Sequence, residues 1–248
     1  MHFAMTRGSE SSTCCSANPV MSASPPATIV DSSKQCSTAT ALEFLGATCR
    51  KRFGDWKNTH KRLSRWAKKG AWQRLFEHLA AEADNEYAMI DSTIVRAHQH
   101  PAGAPKKDDD QAIGRGKGGL STKIHALVDA LGNPLRFLLT PGQADDLIGA
   151  DALLPQMAAG GLIADKARDA DERVLKPLAS AGKSTVIPPQ QNRTTPRHFD
   201  EALYQTHHLI ENSSVNSNST AASPPRYNKT ARNFLAALYL AAATIWLN

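Results

Sequence analysis

The run Tyr87-Ala-Met-Ile-Asp91-Ser-Thr-Ile-Val-Arg96-Ala-His98 places the tightest constraint on the fold, because apolar and β-branched residues of strand type surround a single carboxylate. An unpaired carboxylate in a low-dielectric interior costs several kcal/mol, so Asp91 needs a cation, a metal or a cluster of donors to face. Gly161-Leu-Ile-Ala-Asp165-Lys166 repeats the pattern as a short apolar run that ends in Asp165. Two strands that each deliver an aspartate point to one shared site. A third acid, Glu211 in His207-His-Leu-Ile-Glu-Asn212, falls on a predicted helix and completes a set of hard oxygen ligands suited to a divalent metal. Taken singly, an aspartate at a strand end is more often a turn cap than a ligand, so the inference rests on the combination.

The remainder of the chain separates into segments of different character. Residues 1–49 are rich in Ser, Thr, Ala, Cys and Pro without helical or strand periodicity, and no stable core is expected there. From Phe53, apolar residues including Trp56, Leu63, Trp66, Trp72, Leu75, Phe76 and Leu79 recur at helical spacing, predicting two helices separated at Gly70 within a small module over 50–83. Its basic residues include Lys61, Arg62, Arg65, Lys68 and Lys69, of which Arg62, Arg65 and Lys69 share one helical face suited to phosphates. The formal charge of +6 fits a polyanionic partner for such a face.

Residues 84–248 read as β-β-β-α-β-α-β-α. Strand one carries Asp91, and Lys123 to Ala130 with Leu135 to Thr140 forms a hairpin about Gly132-Asn133-Pro134. A helix is expected over Ala144 to Met157, strand four delivers Asp165, and a helix covers Asp171 to Ala181. Ser184 to Ile187 makes strand five, and a last helix after Pro196 carries Glu211. The apolar segment Phe234 to Leu247 has 14 residues, against roughly 20 needed to span a bilayer, and is expected to be a buried C-terminal helix rather than a membrane anchor. All four cysteines, Cys14, Cys15, Cys36 and Cys49, lack metal-site spacing. With no secretory signal at the N-terminus, a cytoplasmic protein with reduced thiols is expected.

Ile90 to His100, Gly118-Gly-Leu-Ser-Thr-Lys-Ile-His125, Ile163-Ala-Asp-Lys166 and Arg226-Tyr-Asn-Lys-Thr-Ala-Arg-Asn-Phe-Leu235 agree in order and spacing with a known pattern. Through these blocks the chain resembles the RNase-H-like DDE transposases of bacterial insertion sequences, in the group related to insertion sequences four and five. The resemblance implies an α/β fold with a mixed five-stranded sheet flanked by helices, preceded by the small helical DNA-binding module. It implies a catalytic triad of Asp91, Asp165 and Glu211, with Asp91 bridging two Mg2+ ions, for which Mn2+ can substitute, and the other two acids each completing one metal site. Paired metals roughly 3.5 to 4 Å apart suit hydrolysis of a phosphodiester and its rejoining, because both are in-line displacements at phosphorus. The implied partner is double-stranded DNA, as terminal inverted repeats and target. The implied assembly is a homodimer that brings two element ends together at the bacterial nucleoid.

Other residues gain roles only within that frame. Arg115 and Lys117 in the Gly-rich stretch suggest a mobile basic loop near DNA phosphates, and Lys166 a residue that orients DNA. The same stretch is not a phosphate-binding P-loop, since Leu120 stands where that motif requires Lys. His98 and His100 read as surface or hydrogen-bonding residues.

The chain also departs from the family. Tyr204 and Glu211 match the third block, but His207 and Asn218 replace an arginine and a lysine, and Ala167-Arg168 follows Lys166 where glycine and tyrosine are usual. Residues 213–225 are a poor helix that ends in Pro224-Pro225 and, like 1–49, have the look of frame-shifted sequence. Three readings follow: a working transposase, a catalytically dead DNA-binding remnant, and an RNase-H-like nuclease without joining activity.

Overall fold

The computed structural model describes residues 56–98, 111–191, 193, 197–210 and 226–247. Glu211, the four cysteines, His100 and the segments 1–49 and 213–225 lie outside the described residues.

The sheet grows outward from β1 (Tyr87–Arg96), whose run of β-branched and apolar residues suits a central strand. On one side β1 pairs antiparallel with β3 (Gly119–Val128), with Asp91 opposite Ala126, and β3 pairs antiparallel with β4 (Pro134–Pro141). On the other side β1 pairs parallel with β5 (Gly161–Ala164), which pairs parallel with β6 (Ser184–Val186). The resulting order, β4-β3-β1-β5-β6, is a mixed α/β arrangement like the one expected from the sequence, with all five expected strands present. A sixth strand corrects the picture of a mobile basic loop. Gly114–Gly116 forms β2 and pairs with the start of β3, so Arg115 lies on a strand and Lys117 in a tight turn closed by Gly119 at φ 96°.

Both faces of the sheet are covered. Ala88 and Ile90 join Leu127, Leu162 and Ala164 beneath α3 (Asp146–Leu153) and α4 (Lys176–Ser180). The opposite face holds two clusters: Met89, Ile163, Val186 and Ile210 form one, and Val95, Ile124, Phe137, Phe76 and Phe234 the other. Asp145 caps α3 by accepting from Leu147 N, and Pro155, which has no N–H, falls where the expected longer helix tightens into a 3-10 turn, Leu154–Gln156. The helix expected over Asp171 to Ala181 begins as a π-turn, Asp171–Leu175, before α4.

The two N-terminal helices are α1 (Trp56–Lys68) and α2 (Ala71–Leu79), joined at Gly70 in the left-handed conformation (φ 65°). They pack on the C-terminal helix α6 (Ala231–Trp246), which follows α5 (Glu201–Tyr204) in the chain. Leu63, Ala67 and Trp72 meet Ala236 and Leu240, and Phe76 continues into the sheet core. The expected buried C-terminal helix is therefore the bridge between module and sheet. Among the described residues no helix is long and apolar enough to cross a membrane.

Candidate active site

Parallel pairing brings the first two acids together. Ile90 is in register with Ala164, so the next step along both strands sets Asp91 beside Asp165. Side chains alternate along a strand, which puts both aspartates on the face of Met89 and Ile163 and opposite the core of Ile90 and Ala164. Ile210, the residue before Glu211, is buried on that same face.

The two carboxylates sit in different surroundings. Asp165 begins a 3-10 turn, Lys166–Arg168, and its Oδ1 accepts from Ala167 N at 2.7 Å. Asp91 has 23% of its side chain exposed. Burial pushes its carboxyl above the usual range against the Ser92 backbone, Arg168 and His207, with the charge of Asp165 adding to the rise. Lys166 is exposed beside the pair. Two hard, partly exposed carboxylates, one on β1 and one just past the end of β5, form a donor set that fits a divalent metal. Among the described residues, however, no group of three or more His, Cys, Asp or Glu side chains is arranged to hold one.

The structure adds residues that motif reading did not single out as parts of the site. Arg168 is only 1% exposed, with Nη1 at 4.0 Å from Asp91 Oδ1. Burial lowers its pKa, against the pull of Asp91, Asp146 and Asp165. On the other face of β1, Ser92 Oγ donates to Asp146 Oδ1 at 2.5 Å, and Lys123 Nζ donates to the same oxygen at 3.0 Å and to Ala144 O at 2.6 Å. Burial alone would raise Asp146, but the Ser92 hydroxyl and Lys123 outweigh it and hold the carboxyl below its usual range. Ser92 follows Asp91 on β1 and Lys123 lies on β3, whereas nothing in sequence spacing links them to Asp146. His98 stacks on Tyr227 with ring centroids 4.4 Å apart, and His207, at the position usual for arginine, stacks on Tyr204 at 5.5 Å.

His125 on β3 is fully buried, with Nε2 at 2.9 Å from Thr140 Oγ1 and its ring against Gly149, where an added Cβ would come within 2.2 Å of Nδ1. Burial, then the charges of Arg168 and Lys123, lower its pKa to about 4 despite Asp146. An unfolded histidine titrates near about 6.5, so between these values the unfolded chain binds more protons than the folded one. This contribution to stability is complete above about pH 6.5 and is lost as pH falls toward 4. Denaturant melts across that range are expected to lose about 2–3 kcal/mol from this residue, and His125→Gln should flatten that part of the profile.

Residues 83–240 match the family model described as a transposase DDE domain. The chain belongs to this transposase family. A candidate transposase for insertion sequence element IS6501 of Brucella ovis is 37% identical to this chain over 130 residues, covering 52% of this chain and 99% of that one. The protein y4sN of Sinorhizobium fredii is 53% identical over 53 residues, 21% of this chain, and the match spans only 42% of y4sN. Among solved structures, the chain is similar to the Mos1 transposase paired-end complex with left transposon end, at 11% identity over 78% of this chain and 79% of that one, with a TM-score of 0.27. The Mos1 mariner paired end complex with Mn is similar at 10% identity over 77% and 79%, with a TM-score of 0.29.

Proposed function

We propose that this member of the family cleaves DNA at the ends of its insertion sequence and joins the freed strand to a target, using divalent metal held by Asp91, Asp165 and Glu211. The observation that carries the reading is the β1–β5 register, which sets Asp91 beside Asp165 at a partly exposed position. Glu211 is assigned to the same set by its place in the third block, seven residues after Tyr204. Bound metal supplies Lewis acidity, activating the attacking hydroxyl and neutralising the leaving oxygen. Asp91 and Asp165 contribute the carboxylate oxygens, and Ala167 N–H, by donating to Asp165, fixes the orientation of one of them. Mg2+ is the proposed ion on ligand hardness, with Mn2+ able to replace it.

Residues 50–83 are proposed to grip double-stranded DNA at the terminal repeats, and a homodimer to hold two ends together in the cytoplasm at the nucleoid. Lys61, Arg62, Arg65, Lys68 and Lys69 are exposed on or just beyond α1, whose first turn carries no acid. Arg115, Lys117 and Lys166 are exposed nearer the sheet and are assigned to further phosphate contacts. Replacing Arg62, Arg65 and Lys69 together by alanine is expected to reduce the slope of log affinity against log salt by about 2–3, at similar cost on any sequence. Fluorescence-anisotropy titrations at several salt concentrations measure this.

The decisive assay offers the protein DNA carrying its own element's ends, with Mg2+ or Mn2+. Nicking followed by strand joining supports the proposal. Nicking without joining would indicate an RNase-H-like nuclease, and salt-sensitive binding without nicking would indicate a DNA-binding remnant.

A further inference from the structure

We propose that Arg168 is a built-in cation that competes with divalent metal at Asp91, so that this chain keeps the architecture of the acid site while binding metal weakly. The proposal rests on the reading of Asp91 and Asp165 as metal ligands. Arg168 is the last residue of the 3-10 turn that Asp165 opens, which ties its position to the second acid through three residues of rigid backbone. Its guanidinium is sealed from solvent at 1% exposure and reaches toward Asp91, with Nη1 at 4.0 Å from Oδ1.

Two details indicate that this arginine serves Asp91 electrostatically rather than as an ordinary structural clasp. Among the described residues its Nε and Nη2 have no hydrogen-bond partner. The other deeply buried arginine, Arg226, differs in degree: its Nε and Nη1 donate to Asn228 O and Gln111 O, and only its Nη2 lacks a partner among the described residues. In addition, the charges that act on Arg168 are those of Asp91, Asp146 and Asp165, and the first and last of these are the proposed metal ligands. A fixed positive charge in a poorly solvated position about one ion-pair distance from a carboxylate already provides part of the compensation a metal would provide. It also repels any cation that approaches the same oxygen. A neutral side chain at this position would remove one of the charges that offset the repulsion between Asp91 and Asp165 and leave more of it for a metal to relieve.

The test is calorimetric titration of the full chain with Mn2+ alone, on the wild type and on Arg168→Met and Arg168→Tyr, with folding checked by circular dichroism. Removal of the guanidinium is expected to tighten Mn2+ binding roughly tenfold to a hundredfold. Adding Asp91→Asn to either variant should abolish the gain. Equal affinities in wild type and variants would overturn the competition while leaving the metal site intact. Absence of binding in every protein would instead overturn the metal reading itself, and the competition with it. If neither variant folds, the wild type decides: micromolar Mn2+ affinity with Arg168 in place overturns the proposal, and binding no tighter than millimolar supports it.

Discussion

Phe76→Ala is expected to destabilise the protein by about 3–5 kcal/mol, the range for truncating a fully buried phenylalanine. Phe76 is 1% exposed and stands where three parts of the chain meet. Its ring centroid lies 5.8 Å from that of Phe137 on β4 and 5.2 Å from that of Tyr239 on α6. Phe76 also shares a core cluster with Val95 on β1 and Ile124 on β3. The ring therefore joins the basic helices to the sheet that carries Asp91. Denaturant melts should show the loss of stability, with hydrogen exchange accelerating in α1, α2 and α6 before the β1–β5 pairing. A variant that lost less than about 1 kcal/mol would mean that the helices contribute little to the fold through this contact.

Asp91→Ala is expected to reduce metal-dependent nicking of the element's ends by about 10^3-fold or more, the effect of losing a ligand that organises Lewis-acid catalysis. Its effect on stability should be small, because two consequences oppose each other. Burial holds the Asp91 carboxyl above its usual range, so at neutral pH its ionised form subtracts from stability and removing it is favourable. Arg168 then loses the carboxylate at 4.0 Å, which is unfavourable. A melting curve close to that of wild type, together with unchanged DNA affinity, would assign the loss to chemistry. Retained nicking would exclude Asp91 from the reaction.

Several features of this protein were legible in sequence because they depend on local periodicity or local backbone chemistry. The β-branched run around Asp91, the hairpin at Gly132-Asn133-Pro134 and the break at Gly70 each follow from residues within a few positions of one another. The basic loop is a strand in the fold, and its sequence carries no sign of this because Gly114–Gly116 extends only with β3 present to pair with it. Helix ends were less legible than helix existence. Pro155 and the π-turn at Asp171–Leu175 adjust geometry without changing hydrophobic pattern.

By itself the sequence determined the order of elements, the presence of two strand-borne aspartates and a C-terminal block that resumes at Arg226, because residue type and spacing carry that information. Tertiary structure alone decided what those residues face. It set Asp91 beside Asp165 through a parallel pairing of segments about 70 residues apart in the chain, and placed Arg168 against the first of them. Arg226, an ordinary surface residue by composition, is 1% exposed, donates to Thr122 Oγ1 at 2.6 Å and lies 4.8 Å from the Phe234 ring centroid. Contacts of this kind depend on desolvation and close approach between segments distant in the chain, and neither is encoded in the local pattern from which a sequence is read.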